Sequence, residues 1–345
     1  MKMNKPSLID VDCNLLHPAL LSLISEDNAD PREILKHKST IDAGIVAVLS
    51  PSSTLEESER SIALASSNKC DPDNNIDDCT PIEIRTTVGI HPYHTHELMC
   101  TTENITRLNN LVFEGGNDVV CVGECGLDYS EGFPGKDIQI PWLHAQLDLA
   151  FELQKPLFFH ERLAFKDFMT ALDDAEKRND GCDFPPAIIH CFTGTKDECR
   201  AYLQHGFYIG ITGFLNKQVD GAKVIQEILS EGIIPLDRLM IETDAPYLGF
   251  EGCRDSYFEA EGEAFSGLPS KKRKKLLKTT YPNVPSSLPM VLRAVTEHLN
   301  KGRASRGEAL FSEDDVASAS FNNAVRFFGF EVNRGTHQHE ESSSS

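Results

Sequence analysis

Four acidic or imidazole side chains, widely separated in the chain, each stand at the end of a short apolar run. Glu124 lies in the segment GECGLD at 123–128, His160 ends FFH, His190 ends IIH, and Asp244 ends MIETD. Carboxylates and imidazoles are the groups with which proteins bind divalent metal ions for hydrolytic chemistry. If one fold brings the four residues together, they predict a metal centre.

Each of these residues alone also has a purely structural explanation. Glu124 could cap the following helix, and a histidine at a strand end could be a core residue bonded to backbone. Two such histidines at successive strand ends favour metal ligation, because their coincidence by chance is improbable. Glu242 lies on the same side of the strand as Asp244. It could orient a histidine ligand, or it could be a member of a buried ion pair.

Three further basic side chains follow the apolar runs. His91 lies in VGIHPYH, where it ends a predicted strand before a proline, and we assign it to the site in contact with a substrate phosphate. His94 lies further into the same loop. Arg162, two residues past His160, suits bidentate contact with a phosphate, although a salt bridge on a helix face explains it equally well.

The elements that must position these residues are apolar, β-branched runs separated by helical patterns. Alternating strands and helices with continuously apolar strands indicate a parallel sheet covered by helices. Eight such strands predict a (β/α)8 TIM barrel, in which the C-terminal strand ends surround one cleft. The eight runs are residues 8–12, 45–49, 84–90, 119–124, 157–160, 187–190, 207–211 and 239–243.

The domain predicted from this pattern is a single barrel over residues 1–330 with two insertions. Residues 68–81 indicate a surface loop, and residues 251–285, which follow the last strand, indicate a long loop serving as a lid or substrate wall. Two helices, at about 286–300 and 313–328, complete the domain. The polar residues 331–345 predict a disordered tail.

Composition narrows the classes of protein. A net charge of −20 argues against a broad basic surface that coats duplex nucleic acid, but metal ions would bring positive charge to a nuclease site. The chain has no apolar run of about 18 residues and no signal peptide, so we expect no membrane partner. Ten cysteines without a Cys-x-x-Cys motif predict reduced thiols in the cytoplasm or nucleus rather than a zinc site.

Six segments, taken together and in order, resemble the TatD family of metal-dependent deoxyribonucleases. They are residues 88–93, 123–129, 156–162, 190–194, 206–213 and 241–248. The resemblance implies a TIM barrel that uses divalent metals to hydrolyse phosphodiester bonds, typically as a 3′→5′ exonuclease on single-stranded DNA. It implies metal ligands at Glu124, His160, His190 and Asp244. We assign catalytic roles to Glu124, Asp244 and His91.

The chain departs from the family pattern in its first strand. Many members carry His-x-His there, whereas this chain has Asp12, Cys13 and Asn14. Some TatD-like proteins also lack this pair of histidines. Oxygen ligands favour Mg²⁺ or Mn²⁺ over Zn²⁺. We therefore predict two Mg²⁺ or Mn²⁺ ions bridged by Glu124, with Asp12 and Asn14 as further candidate ligands.

Residues 251–285 also depart from the family. The Arg-Asn-Glu-Pro sequence of related proteins is replaced by PNVP at 282–285, which puts substrate contacts from that loop in doubt. The basic run at 271–275 is typical of a solvated patch or a nuclear import signal, which we favour, but it also suits a DNA backbone.

Aromatic residues that follow the site motifs are the expected stacking platforms for DNA bases: Phe192, Tyr247 and Tyr129. DNA is the expected substrate, and no obligate protein partner is inferred.

Two other functions remain open from the sequence. A metal-dependent amide or ester hydrolase, such as an aminoacyl-tRNA deacylase, could use the same barrel, because one fold hosts many chemistries. A carbamylated-lysine enzyme would need a lysine where this chain has Glu124. A non-catalytic nucleic-acid-binding relative is the second alternative, suggested by the changes at Asp12, Asn14 and Val284.

Overall fold

Eight parallel strands form one sheet in strict sequence order. The computed structural model describes residues 5–24, 30–68 and 81–332. Hydrogen-bonded neighbours run from β1 to β8, and a parallel bridge between Cys13 and Ala245 joins the segments that follow β1 and β8. This closure confirms the predicted (β/α)8 barrel. The strands are β1 Leu8–Asp10, β2 Ile45–Ser50, β3 Glu83–Val88, β4 Val119–Asp128, β5 Leu157–Arg162, β6 Ala187–Ile189, β7 Tyr208–Ile211 and β8 Leu239–Ile241.

Helices surround the barrel in the described part of the chain. The predicted helices at 138–154, 165–175, 199–205 and 313–328 are present with small changes of boundary. The helices are α1 Pro18–Leu21, α2 Arg32–Lys36, α3 Lys38–Asp42, α4 Leu55–Ser67, α5 Thr102–Glu114, α6 Lys136–Leu153, α7 Phe165–Arg178, α8 Lys196–Gln204, α9 Asp220–Ser230, α10 Asp255–Ala260, α11 Glu263–Ser266, α12 Ser270–Lys278, α13 Leu288–Ser305 and α14 Glu313–Phe328.

The barrel has an inner and an outer core. The outer core lies between strands and helices and includes Trp142 and Phe168. The inner core fills the barrel with alternate strand residues such as Phe158 and joins the aromatic residues of α14. Helix α14 packs on β1, β8 and the turn before β8, which places it at the N-terminal end of the strands. Helix α14 therefore does not cover the C-terminal ends of the strands, where a functional site can form.

Strand β4 is longer than the sequence predicts and is irregular at its centre. The prediction ends it at Glu124, whereas the observed strand continues to Asp128. Its register with β5 shifts between Gly123 and Cys125, so Glu124 is the extra residue of a bulge. The boundary prediction is therefore wrong, and the bulge is what turns Glu124 towards the barrel mouth.

The glycines beside Glu124 serve strand packing. A Cβ on Gly126 would lie 1.7 Å from the carbonyl oxygen of His160, and one on Gly123 would lie 2.4 Å from that of Phe158. Both residues also have positive φ, at 151° and 148°. Glycine is therefore required at both positions by the close approach of β5.

The two predicted insertions differ in what the structure describes. Residues 69–80 of the first lie outside the described residues, as do residues 333–345 of the predicted tail. The second insertion, 251–285, is a loop in the prediction, but the structure folds much of it into α10, α11 and α12. Among the described helices, none combines the length and apolar character that a membrane crossing requires.

Candidate metal centre and active site

Glu124 lies at the centre of a cluster of imidazoles. Its Oε1 lies 2.7 Å from Nε2 of His190, 3.0 Å from Nδ1 of His160 and 3.4 Å from Nε2 of His91. The three histidines come from β5 and from the segments after β3 and β6, so the fold assembles the cluster from distant parts of the chain. Separations near 3 Å between ligand atoms are what a shared ion with bonds of about 2.1 Å requires.

His160 is oriented by Asp128, a residue without a predicted role. Its Nε2 lies 2.8 Å from Oδ2 of Asp128, the last residue of β4. Asp128 can only accept, so it is the partner of an Nε2–H group. Nδ1, which lies 3.0 Å from Glu124 Oε1, is then the nitrogen available to a metal ion shared with Glu124. Burial alone would lower the pKa of His160, but Asp128 and Glu124 together raise it.

His190 lies between two carboxylates. Its Nε2 faces Glu124, and its Nδ1 lies 2.8 Å from Oδ2 of Asp12 and 3.9 Å from Oε1 of Glu242. The 2.8 Å pair is not aligned as a hydrogen bond, and neither buried atom has another hydrogen-bond partner among the described residues. Glu242 Oε1 also accepts the backbone N–H of Cys191. Asp12, His190 and Glu242 thus form a second group able to hold a cation.

Asp244 completes the site from the segment after β8. Its Oδ1 and the Oδ1 of Asp12 both lie near the side-chain amide of Asn14, at 3.4 and 3.2 Å from Nδ2. Asn14 therefore donates towards both carboxylates, which directs its amide nitrogen, rather than its oxygen, to them. Asp244 has a φ of 51°, a left-handed conformation that Asp tolerates better than most residues.

The carboxylates of the site are buried close together, which shifts their pKa values. Burial is the largest cause that raises the pKa of Glu242 to about 8. Burial and then the charge of Asp12 raise the pKa of Asp244 well above its ordinary value. Burial would also raise the pKa of Glu124, but His190 and His91 hold it well below the ordinary range. Buried carboxylates at this density normally pair with cations or coordinate metals.

The residues present therefore fit a divalent metal. Three of the buried side-chain atoms that have no hydrogen-bond partner among the described residues converge in one region and are metal-ligand types: Asp12 Oδ2, His190 Nδ1 and Glu242 Oε2. The candidate ligand atoms in the two groups are imidazole nitrogens and carboxylate oxygens, with no thiol among them.

His91 and Arg162 flank this centre in different ways. The Nδ1 of His91 accepts the backbone N–H of Tyr93 at 3.1 Å, so the proton of the neutral ring lies on Nε2, which faces Glu124. Burial is the largest cause that lowers the pKa of His91. Arg162 is exposed at the end of β5, and its side chain has no salt bridge within the described ranges. His94 contacts Glu97 at 2.9 Å.

The predicted stacking residues are only partly available. Phe192 is 3% exposed and packs in the outer core, so that prediction is wrong. The hydroxyl of Tyr129 donates to Asp167, and the ring packs against the core. Tyr247 is 45% exposed. Phe133, which the sequence did not single out, has its ring centroid 6.2 Å from that of His91 and 5.4 Å from that of Tyr93.

An eight-stranded barrel whose mouth gathers carboxylates and imidazoles defines the class of barrel hydrolases that act through bound metal ions. Within that class, the chain belongs to the TatD related DNase family, whose model matches residues 9–329. This match confirms the resemblance that the six sequence segments indicate.

Individual relatives agree with the family. The chain is 37% identical over 207 residues to the 3′-5′ ssDNA/RNA exonuclease TatD of Enterobacter lignolyticus, covering 60% of this chain and 70% of that protein. It is 35% identical over 244 residues to the protein of the same name in Citrobacter rodentium, covering 70% and 76%.

Two solved structures share the fold. A TatD family hydrolase of Entamoeba histolytica has a TM-score of 0.69 at 22% identity over 94% of this chain and 98% of its own. An uncharacterized amidohydrolase of Saccharomyces cerevisiae has a TM-score of 0.67 at 19% identity over 93% and 99%.

Proposed function

We propose that this protein is a divalent-metal-dependent nuclease that removes nucleotides from the 3′ end of single-stranded DNA or RNA. Its family description and the names of the relatives support phosphodiester hydrolysis of nucleic acid. The observation that carries the proposal is the position of Glu124 Oε1 within 3.4 Å of three imidazole nitrogens.

Two ions are proposed because two groups of ligand atoms meet at the mouth. Glu124 and His160, with the Nε2–H of His91 beside them, form one group, while Asp12, His190 and Glu242 form the other. We propose Glu124, His160, His190 and Asp244 as the principal ligands, with Asp12 as an additional one. Asn14 is weaker than the sequence suggested, because its amide nitrogen faces the carboxylates.

Mg²⁺ or Mn²⁺ is the proposed cofactor. The carboxylates Asp12, Asp244 and Glu124 supply oxygen ligands, which magnesium and manganese prefer, whereas the chain lacks the first-strand imidazoles that would favour zinc.

The metal ions would lower the pKa of the attacking water and offset charge on the phosphoryl oxygens. Asp244, whose pKa is raised by burial and by Asp12, is the proposed acceptor of the water proton. His91 presents Nε2–H, so it can donate a hydrogen bond to a substrate phosphate. Arg162, exposed at the rim and without a salt bridge in the described part, can bind a second phosphate oxygen.

The proposed location is cytoplasmic or nuclear. Supporting it, the eight cysteines within the described residues are free thiols, five of them fully buried, as reducing compartments maintain.

The test is Glu124→Gln, which keeps the side-chain size and removes the charge. We expect release of nucleotides from a 3′-labelled single-stranded oligonucleotide in Mg²⁺ to fall by at least about 1000-fold, since Glu124 belongs to one ligand group and lies 2.7 Å from His190 of the other. Glu161→Gln is the matched control, because this neighbouring carboxylate binds the Tyr202 hydroxyl at 2.6 Å and faces away from the cluster. Near wild-type cleavage by Glu124→Gln would refute the proposal.

The same assay separates the alternative functions. Addition of a chelator removes activity if the protein is a metal nuclease. Release of an amino acid from aminoacyl-tRNA without nucleotide release would identify an ester hydrolase, and oligonucleotide binding without any turnover would identify a non-catalytic relative.

A further inference from the structure

Helix α12 in the second insertion has two chemically different faces. Its exposed face carries Lys271, Lys274, Lys275 and Lys278, at the i, i+3, i+4 and i+7 positions that share one side of a helix. Leu276 and Leu277 on the other side pack against a small core formed by Tyr257, Phe258 and Val284. The helix is therefore held in place by its leucines while four ammonium groups point to solvent.

These lysines are not explained by stabilisation of the helix. The first turn of α12 contains Lys271, Lys272 and Arg273 and no acidic residue. Cations there oppose the helix dipole, and like charges at i and i+4 repel. Within residues 5–24, 30–68 and 81–332, no salt bridge involves an α12 lysine. The nearby acidic residue Glu261 instead contacts His37 at 3.1 Å.

The chain after α12 is fixed directly to the metal centre. The side-chain amide of Asn283 donates to the carbonyl of Thr243 at 2.9 Å, and its backbone N–H donates to Pro246 at 2.8 Å. These contacts bracket Asp244. Asn283 is five positions after Lys278 in the chain, which limits their Cα distance to about 18 Å. The cationic face therefore begins close to the barrel mouth.

Aromatic rings occupy the interval between α12 and the centre. Tyr281 is 49% exposed and Tyr247 is 45% exposed. The guanidinium of Arg254, only 5% exposed, donates to the carbonyl of Tyr281 at 3.1 Å and lies 4.7 Å from the Phe258 ring centroid. Arg254 thus fixes the backbone of Tyr281 from below and leaves its ring exposed.

We propose that the exposed face of α12 binds the phosphate backbone of a single-stranded polynucleotide whose 3′ end lies in the metal centre, while Tyr281 and Tyr247 stack on the intervening bases. The inference rests on the proposed function and assigns the substrate path. Cationic residues that follow a backbone, combined with aromatic platforms, are the usual means of binding single strands.

The net charge of −20 does not cancel this local field. Charges separated by more than about 8–10 Å in solvent are largely screened at physiological salt, so the four lysines act on a strand near them. Their removal should consequently be visible as a change in the salt dependence of binding.

The binding test uses the full chain in chelator with a fluorescent single-stranded 30-mer, so that turnover plays no part. The variant replaces Lys271, Lys274, Lys275 and Lys278 by Gln, which retains helix propensity. We expect affinity at 0.1 M salt to fall about 10- to 100-fold, and the slope of log K against log salt to decrease by about 2–3. The matched control replaces four exposed cations on the outer helices by Gln: Lys38, Lys177, Arg200 and Lys301.

The aromatic contribution is tested separately at Tyr281. Tyr281→Leu should weaken binding of the 30-mer by about 5-fold or more, whereas Tyr281→Phe should bind as wild type because it retains the stacking ring. Equal binding by Tyr281→Leu and wild type would remove Tyr281 from the proposed path.

Turnover distinguishes this inference from the proposed function. In Mg²⁺, the α12 variant should cleave a trinucleotide at the wild-type rate, and a 30-mer at a lower kcat/KM. Equal kcat/KM values of the wild-type and variant proteins on the 30-mer would refute the proposed path along α12, but not the proposed function. Absence of any metal-dependent cleavage, even of the trinucleotide, would refute the proposed function instead. Unchanged oligonucleotide binding, with loss of binding to a nuclear import receptor, would assign α12 to import and also overturn the path.

Discussion

The carboxylate of Asp128 lies 2.8 Å from Nε2 of His160 on the neighbouring strand. Asp128 is almost fully buried, and its other oxygen accepts the backbone N–H of Ser130 at 2.8 Å. The imidazole is therefore held by a carboxylate that is itself held by backbone. This arrangement determines which nitrogen of His160 faces Glu124.

The first prediction concerns this pair. Asp128→Ala should weaken binding of Mn²⁺ by about 10- to 100-fold, because His160 loses the partner that fixes its tautomer and orientation. Asp128→Asn keeps an acceptor oxygen and should have a smaller effect. Calorimetric titration with Mn²⁺ measures both, and Asp137→Ala, at an exposed position on α6, is the control. Equal affinities for Mn²⁺ in all four proteins would contradict the assigned role.

The second prediction concerns the contact of β4 with β5. Gly126→Ala should reduce the free energy of unfolding by about 3–5 kcal/mol, since its Cβ would clash with the His160 carbonyl at a positive φ. Gly132→Ala also has positive φ but open space around its Cβ, so we expect only about 1–2 kcal/mol there. Urea unfolding compares the two, and a Gly126 variant as stable as the Gly132 variant would show that the strands can separate.

The third prediction is the identity of the metal. Protein stripped by chelator should regain nuclease activity with Mg²⁺ or Mn²⁺, and not with Zn²⁺ alone, because Asp12 replaces imidazole in the first strand. Product release from the single-stranded oligonucleotide is followed at a series of metal concentrations. Restoration by Zn²⁺ alone would show that the oxygen-rich first position does not set the preference.

The fourth prediction is a dependence of stability on pH. His17 caps α1 by accepting the backbone N–H of Ala19 at 3.0 Å, and burial lowers its pKa. With the folded pKa below the unfolded value of about 6.5, the unfolded state binds more protons between these values, so stability falls as pH decreases through that window. His17→Asn keeps a capping oxygen without titrating. Urea unfolding at about pH 7.5 and 5.5 should therefore show a smaller loss for His17→Asn. An identical loss in both proteins would exclude His17 as the cause.

The eight strand positions are predictable because parallel strands covered on both faces are continuously apolar. The family membership is predictable because six separate segments occur in the correct order. The positions at which the strands end are less predictable. The sequence predicts β4 to end at Glu124, and a bulge allows it to continue to Asp128. Asp128 stands four residues after Glu124 in the same motif, and that alternation of sides along a strand was the available signal.

Other features depend on tertiary contacts that no local pattern specifies. Phe192 follows His190 in sequence, yet its ring turns into the core, so proximity in the chain does not predict exposure. Within residues 251–285, helix α12 is not predicted because most of its residues are basic and only Leu276 and Leu277 pack against the rest of the protein. The tautomer of His91 follows from its partner Tyr93 and the orientation of the His160 ring from its partner Asp128, which only the folded chain brings within reach.

The bulge at Glu124 and helix α12 differ in how well the surrounding structure tolerates amino-acid substitutions. Glu124 is carried by backbone in direct contact with the backbone of β5, so even one added methyl group disturbs it. Helix α12 is attached through a few side chains beyond the last strand. Changes on the exposed face of α12 would thus alter the proposed polynucleotide path and leave the residues around Glu124 in place.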